Sequence, residues 1–250
     1  MNMRKRLVHL ILLGVIFQTA ALYAQEDDHG ITVNNDFVTR YLWRGYDVFD
    51  DHGAWHPSVE KDLGNGWAAN VWGAQPFGSG SENLTELDYS LLYGNTINEG
   101  ELYQIDYNAN YIYYDFPKDH SGVDAQEIGV GMSFPNVLKD IADGLVPSYY
   151  VGQFWLSQGG NSGAFHILGL DYGLVSPETG LPINLGVDLT YNDGVLGSDH
   201  DWSHFTYKAS TEMEVGCLTV TPFIGFQQSM EDTVNKEDEF VGGFSTGFSF

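Results

Sequence analysis

Acidic residues and histidines stand side by side at several points of the chain, a pattern that can bind a metal ion or position a water molecule. The clusters are Asp50-Asp51-His52, Asp119-His120 and Asp199-His200-Asp201. Carboxylates are ordinary ligands of Ca²⁺ and Mg²⁺, whereas imidazoles suit Zn²⁺ or Cu²⁺ better. The metal candidates are therefore Asp50, Asp51, His52, Asp199, His200 and Asp201. The alternative is a set of solvated acidic loops, which divalent ions could bridge to lipopolysaccharide.

A serine and a histidine adjoin in Trp202-Ser203-His204, the pair of residue types that a lipid hydrolase needs at one site. Neighbours in a strand point to opposite faces, so we expect Ser203 and His204 not to touch. The chain has no phosphate-binding loop, no nucleotide-binding glycine fingerprint and no paired-cysteine metal motif. We therefore expect no cofactor and no enzymatic activity.

The first 24 residues have the pattern of a secretory signal peptide. Arg4, Lys5 and Arg6 precede an apolar run over 7–17, and Ala24 supplies the small residue of a cleavage site. The run is shorter than the roughly 20 apolar residues of a membrane-spanning helix. We expect cleavage after Ala24 and one mature domain over residues 25–250.

The mature domain is strongly acidic. Its seven Lys and Arg residues face 34 Asp and Glu residues, which excludes nucleic acid as a partner because phosphates would be repelled. Disorder is the other common cause of high net charge, but 14% aromatic and 43% apolar residues argue against it. Cys217 is the single cysteine, so an intramolecular disulfide is excluded.

Apolar and polar residues alternate through most of the mature domain. Between residues 102 and 116, tyrosines and aliphatic residues share one parity, and Gln104, Asp106 and two asparagines share the other. Successive side chains of a strand face opposite sides, so alternation marks two environments. About twelve such stretches, each near the roughly 10 residues of a tilted membrane strand, are 31–45, 54–63, 67–77, 84–94, 102–116, 125–134, 146–156, 164–175, 181–192, 202–214, 218–228 and 239–250.

These stretches, with no helix between them, predict an all-β fold, a transmembrane antiparallel up-and-down barrel. Short connections at 64–66, 176–180 and 215–217 alternate with long ones at 46–53, 192–201 and 228–238. Outer-membrane barrels have short periplasmic turns and long external loops, so both termini are expected in the periplasm. The segment 135–145 is long where a short periplasmic turn is expected. Two interpretations remain: the segment caps the barrel, or the strand count at this point differs from twelve.

The last strand ends in phenylalanine, and Phe240, Phe244, Phe248 and Phe250 share one parity. A terminal aromatic on an alternating strand resembles the signal that outer-membrane assembly machinery recognises. Phe248 and Phe250 are therefore the expected assembly signal. The alternative is the final strand of a soluble β-sandwich, but the many aromatics at strand ends favour the interfacial girdles of a membrane barrel.

Two segments carry a family resemblance. Thr39-Arg40-Tyr41-Leu42-Trp43-Arg44-Gly45, and later Gly64-Asn65-Gly66-Trp67-Ala68-Ala69-Asn70-Val71-Trp72-Gly73-Ala74, resemble the opening of the TorF-type porins. The resemblance covers about 45 residues. It implies a barrel in the outer membrane of a Gram-negative bacterium, and it implies architecture and location more than substrate.

Charged groups on the barrel wall are expected to face the lumen, because Arg or Lys facing lipid costs about 2–4 kcal/mol at the midplane. By parity the pore-lining candidates are Asp36, Arg40, Arg44, Glu60, Glu86, Asp88, Asp106, Glu127, Asp188, Lys208 and Glu212. Two structures fit this set. One is a narrow, water-filled pore that prefers cations; the other is a lumen closed by pairs across it.

The leading functional prediction is an outer-membrane porin for passive diffusion of small solutes, with a preference for cations. The alternatives are a plugged structural or adhesive barrel that acts through acidic external loops and, third, an outer-membrane enzyme. The expected partners are outer-membrane lipid and lipopolysaccharide, the barrel-assembly machinery, and small solutes or cations.

Overall fold

Twelve long strands form the wall of a barrel. The computed structural model describes residues 30–119, 123–230 and 233–250. The strands are β1 (Ile31–Val38), β2 (Ala54–Gly64), β3 (Trp67–Pro76), β4 (Glu86–Ile97), β5 (Ile105–Asp115), β6 (Ala125–Ser133), β7 (Leu145–Leu156), β8 (Ser162–Val175), β9 (Pro182–Asp193), β10 (His200–Thr211), β11 (Leu218–Ser229) and β12 (Glu239–Ser249). The expected signal peptide, residues 1–24, lies outside the described residues and stays a prediction.

Each strand pairs antiparallel with its neighbour in the chain, and β12 returns to pair with β1. The closing register places Phe37 opposite Phe244 and Thr32 opposite Ser249. A short strand, Met213–Val215, continues β10 along β11. Closure leaves none of the twelve described wall strands at an open edge, which is what a sheet inside a membrane requires. The predicted twelve-stranded, all-β, antiparallel barrel is confirmed.

The connections divide the barrel into two ends. One end carries the connections 39–53, 77–85, 157–161 and 194–199 and the described parts of 116–124 and 230–238, and it is called the loop end below. The opposite end, where β1 begins and β12 ends, is called the turn end. Two 3-10 helices, Glu82–Leu84 and Val195–Gly197, lie in loop-end connections. Over residues 30–119, 123–230 and 233–250, no helix has the length and hydropathy needed to cross a membrane.

The long segment 134–144 lies at the turn end without changing the strand count. It forms successive turns, with the amide of Lys139 donating to the carbonyl of Asn136 and the amide of Ala142 to that of Leu138. The side chain of Asn136 also donates to the carbonyl of Glu101 in the neighbouring turn-end connection. The segment therefore packs along the rim, and the count of twelve strands stands.

The first predicted strand, 31–45, ends early, at Val38. Residues 39–53 instead form a loop that contains a short hairpin of Leu42–Trp43 and Tyr46–Asp47. Arg44 and Gly45 at its tip have φ values of 48° and 100°. An extended strand cannot contain such left-handed backbone, so the prediction of a wall strand through Arg44 was wrong.

The wall is apolar outside and polar inside. On β3, Val71 is 46% exposed on the outer face, whereas its neighbour Asn70 is 3% exposed on the inner face. The same division holds around the barrel: outward-facing side chains include Val59, Leu91, Ile128, Leu168 and Ile224, and inward-facing buried ones include Asp88, Glu127, Asp188 and Thr221. A soluble sandwich has the opposite arrangement, with its apolar face turned to a core. The pattern suits a wall that contacts lipid.

Candidate functional site in the barrel lumen

Residues 39–53, named the plug loop here, leave β1 and fold into the barrel at the loop end. Phe49 is fully buried, and Arg44 is 2% exposed. The amide of Val48 donates to the carbonyl of Tyr41 across the short hairpin. The side chain of Gln227, on β11, donates to the backbone carbonyl of Gly45 at 3.1 Å. The plug loop thus occupies the loop-end half of the lumen.

Arg44 projects from the tip of the plug loop to Glu127 on β6. Its Nη1 donates to Oε2 of Glu127 at 2.6 Å and its Nη2 to Oε1 at 2.8 Å. Glu127 is fully buried. Burial lowers the pKa of the Arg44 guanidinium, but the Glu127 carboxylate, together with Tyr150 and Tyr114, more than offsets this, so the pKa lies above its ordinary value. The two groups form a buried, two-pronged ion pair.

Two wall tyrosines also donate hydrogen bonds to the Glu127 carboxylate. The hydroxyl of Tyr114, on β5, donates to Oε2 at 3.1 Å, and that of Tyr150, on β7, donates to Oε1. The guanidinium carbon of Arg44 lies 5.2 Å from the ring centre of Tyr150 and 4.8 Å from that of Phe165 on β8. Both distances allow cation–π attraction. The carboxylate and the aromatic faces come from four different strands.

Trp43 anchors the plug loop beside this ion pair. Its ring is 8% exposed and lies 5.9 Å from Tyr114, 5.6 Å from Phe154 and 5.3 Å from Phe165, measured between ring centroids. These rings belong to a larger buried apolar cluster that includes Phe49. Inside a wall that is otherwise polar on its inner face, this cluster gives the loop end a small core of its own.

Tyr41 makes a second polar anchor. Its hydroxyl donates to Oε2 of Glu86, on β4, at 3.0 Å, and its ring packs 4.7 Å from His56 on β2. Burial, followed by the charges of Glu86 and Asp88, raises the pKa of the Tyr41 hydroxyl well above its ordinary value. The hydroxyl therefore stays a hydrogen-bond donor. Glu86 and Asp88 are both buried, and no ion pair within the described part of the chain joins either to a cation.

Arg40 lies at the loop-end rim among three carboxylates. It contacts Asp47 with 3.7 Å between Nε and Oδ2, and it pairs with Asp51 and Glu239. Oxygen atoms of these three acids lie within 4.8 Å of one another, the one group with metal-ligand spacing among residues 30–119, 123–230 and 233–250. The Arg40 guanidinium contacts all three acids and supplies one positive charge to them.

The metal candidates from the sequence are scattered by the fold. Asp51 belongs to the Arg40 cluster, and Nδ1 of His52 bonds instead to the backbone carbonyls of Phe49 and Asp50. His200 pairs with Asp193 at 2.5 Å. The remaining candidates, Asp50, Asp199 and Asp201, lie outside the one acidic group. His120 lies outside the described residues.

The turn-end half of the lumen carries charged groups, whereas the apolar cluster that includes Trp43 and Phe49 lies at the loop end. Lys208 and Asp188 form an ion pair of 2.5 Å across β10 and β9. Asp106 accepts hydrogen bonds from Thr96 and Gln104 at 2.8 and 2.9 Å. The other candidates in the wall strands, Asp36 and Glu60, are half-buried, and Glu212 follows the end of β10. Whether these groups line an open channel stays a prediction.

Ser203 and His204 touch, contrary to the sequence-based expectation. Ser203 Oγ and His204 Nδ1 share a hydrogen bond of 2.7 Å. The cause is a β-bulge: Thr190 pairs with His204 and Tyr191 with Trp202, so Ser203 is an extra residue and both side chains turn inward. The pair is buried in the lumen behind the plug loop, whereas a lipid hydrolase would need it at the membrane face.

The fold therefore joins Arg44 with Glu127, Arg40 with Asp51, and Lys208 with Asp188. Sequence reasoning missed the aromatic partners in the wall and in the plug loop: Tyr41, Trp43, Tyr114, Tyr150 and Phe165. One signal was available. Tyr41-Leu42-Trp43 is a run of three apolar residues, which breaks the alternation of a wall strand.

A closed antiparallel wall that is apolar outside and polar inside defines an outer-membrane-type β-barrel. No protein-family model and no curated protein matches the chain. The structure is similar to the KdgM porin, with a TM-score of 0.53 and 9% identity over 88% of this chain and 99% of that one. It is also similar to the COG4313 outer membrane channel from Pseudomonas putida F1, with a TM-score of 0.52 and 10% identity over 89% of this chain and 95% of that one.

At such low identity these likenesses show the fold alone, an outer-membrane-type β-barrel. The narrower resemblance to the TorF-type porins stays a prediction. The expected assembly signal, Phe248 and Phe250, lies at the end of the closing strand, with the two rings stacked at 5.7 Å. Both side chains are exposed on the outside of the barrel, and their role in assembly also stays a prediction.

Proposed function

We propose that the protein is an outer-membrane porin for small solutes whose lumen is closed by the plug loop in the state described above. One observation carries the proposal: the residues that fill the loop-end half of the lumen, Arg44, Trp43 and Phe49, all belong to a single connection. They do not come from wall side chains along the whole barrel. Loops open locally at a much lower free-energy cost than a sheet does. Movement of one loop would therefore leave a polar, twelve-stranded tube.

The charge of the inner wall supports a preference for cations. Glu60 and Asp106 face the turn-end half of the lumen, Asp36 faces the lumen nearer the loop end, and Lys208, the one lysine among the pore-lining candidates, is paired with Asp188. Rows of carboxylates favour cations and disfavour anions in a narrow pore. The proposed solutes are therefore small cations and small neutral molecules.

The names of the similar structures, a porin and an outer-membrane channel, support the same class. The proposed location is the outer membrane, with the turn end and both termini in the periplasm, because long connections of such barrels face outward. Lipopolysaccharide at the acidic loop end and the barrel-assembly machinery at the last strand are the proposed macromolecular partners.

A permanently closed structural or adhesive barrel is the second candidate, and the burial of the Arg44–Glu127 pair favours it. Planar-bilayer conductance separates the two. The mature chain, residues 25–250, is compared with a variant in which 41–49 are replaced by two glycines. The porin proposal expects brief or small openings from the unaltered chain, large steady steps from the variant, and a cation-selective reversal potential under a salt gradient.

The matched control shortens another loop-end connection by deletion of Gly159 and Gly160, which make no hydrogen bond to the plug loop within the described part of the chain. This control should conduct like the unaltered chain. A plug-loop variant that folds, as judged by heat-modifiable migration, but never conducts would refute the porin and leave the closed barrel.

A further inference from the structure

We propose that Glu127, Tyr114, Tyr150 and Phe165, named the cation pocket here, form a binding site for guanidinium-type cations, which Arg44 occupies as an internal ligand. The inference deepens the proposed function, on which it rests for its role in transport, by naming a class of solute. The four residues belong to β6, β5, β7 and β8, so the barrel wall holds them independently of the plug loop.

The pocket is built to present a carboxylate to the lumen. Each oxygen of Glu127 accepts one hydrogen bond from Arg44 and one from a wall tyrosine, Tyr114 at Oε2 and Tyr150 at Oε1. The tyrosines therefore set the orientation of the carboxylate even when the guanidinium is absent. Such preorganisation by surrounding groups is what a binding site requires and a simple structural ion pair does not.

Two glycines in the wall make room for this arrangement. Gly129 and Gly152 face each other in the register between β6 and β7. A Cβ atom at Gly129 would strike the hydroxyl of Tyr150, and one at Gly152 would lie 2.6 Å from Oε1 of Glu127. Any larger residue would displace the carboxylate or the tyrosine that orients it. The wall is thus shaped around the pocket as well as around the plug loop.

The geometry matches a guanidinium better than an ammonium ion. A planar fork donates to both oxygens of one carboxylate, as the distances of 2.6 and 2.8 Å show for Arg44. The flat cation also lies within cation–π range of Tyr150 and Phe165. An alkali-metal ion has neither the fork nor the flat faces, so the pocket distinguishes between these classes of cation.

Occupancy of the pocket is linked to the position of the plug loop. A buried carboxylate that loses its cation is strongly unfavourable, so Arg44 leaves more readily when another cation takes its place. Arg44 itself is held at φ 48°, a backbone conformation that side-chain-bearing residues rarely adopt. An incoming guanidinium compound that replaces Arg44 would therefore favour release of the loop.

The test empties the pocket and supplies the ligand in solution. Arg44→Gly removes the side chain and suits the left-handed backbone at this position. The thermal midpoint of the refolded variant is measured in detergent with millimolar guanidinium chloride, with urea as the neutral isostere, and with sodium chloride. Guanidinium is expected to raise the midpoint by about 2–4 °C, and the other two solutes to leave it unchanged.

Two matched variants identify the site. Arg44→Gly combined with Glu127→Gln should lose the response to guanidinium, and Arg40→Gly, which removes the arginine of the rim cluster, should show no response because Arg44 still fills the pocket. If Arg44→Gly does not refold, Arg44→Lys retains a cation opposite Glu127 and should be stabilised by guanidinium but not by sodium chloride, since a lysine cannot donate the fork.

Equal effects of guanidinium, urea and sodium chloride on the refolded variant would overturn the proposal, as would a response that survives Glu127→Gln. Conductance is recorded separately, on the variant in which two glycines replace residues 41–49. If Arg44→Gly binds guanidinium but the 41–49 variant folds and never conducts, the porin function is refuted while the binding site stands. If the 41–49 variant conducts but Arg44→Gly shows no guanidinium response, the site is refuted and the porin stands.

Discussion

The guanidinium of Arg44 and the carboxylate of Glu127 meet as a doubly hydrogen-bonded ion pair inside the barrel, although 83 positions separate them in the chain. The first belongs to a loop between β1 and β2, and the second to the inner face of β6. The pair therefore ties an irregular connection to the far wall. It holds the plug loop in the loop-end half of the lumen, and several measurable consequences depend on it.

Removal of the anion from this pair should destabilise the folded barrel. Glu127→Gln keeps the shape of the side chain but leaves the Arg44 guanidinium buried without an opposing charge. The free energy of unfolding should fall by about 3–5 kcal/mol, measured by urea titration in detergent. Glu101→Gln, at an exposed turn-end position, should change it by less than about 0.5 kcal/mol. Equal effects of the two substitutions would contradict a structural role for the pair.

A methyl group at Gly45 should displace the plug loop. A Cβ atom there would lie 2.8 Å from Nδ1 of His204 and 3.2 Å from Cγ1 of Val234. Gly80 has a similar positive φ, 112° against 100°, but open space around it, so Gly80→Ala is a control for backbone strain alone. Gly45→Ala should increase the open fraction in single-channel records and Gly80→Ala should not. Identical records from the two variants would show that steric contact does not hold the loop.

Loss of the lumen lysine should increase the selectivity for cations. Lys208 pairs with Asp188, and Asp171 is buried on the neighbouring strand. Lys208→Gln, introduced into the barrel with the shortened plug loop, leaves both carboxylates without that positive charge. The reversal potential under a salt gradient should shift further toward the cation value. Lys236→Gln, at an exposed position of the loop end, should leave it unchanged; a shift of the opposite sign for Lys208→Gln would contradict the placement of the lysine in the conduction path.

Charge on the outer face should be costly in a depth-dependent way. Val71 lies in the middle of β3, and Leu63 lies near the turn end of β2; both are about half exposed on the outside. In lipid vesicles, Val71→Arg should reduce the free energy of unfolding by about 2–4 kcal/mol, and Leu63→Arg by about 0–1 kcal/mol. The same small cost at both positions would mean that the outer face does not contact the hydrocarbon core.

The sequence by itself determined the wall of this protein. Alternation with a period of two is a local property that reports which face a side chain takes, so the twelve strands and the inward parity of Glu127 and Asp188 followed from it. The end of β1 at Val38 could not be predicted in this way, because the residue types of Arg44 and Gly45 also suit a continuing strand. Only the structure shows their left-handed backbone. The alternation also did not reveal the extra residue in β10, whose bulge brings Ser203 into contact with His204.

Only the tertiary structure decided how the plug loop fills the loop-end half of the lumen. The partners of Arg44, Trp43 and Tyr41 lie on strands that the chain reaches much later, and barrel closure brings those strands around a loop whose path no short-range pattern encodes. Parity says that a charge faces inward, but not which charge it will meet across the lumen. That choice depends on the curvature of the closed sheet, on room left by glycines such as Gly129, and on the high cost of a buried charge without a partner.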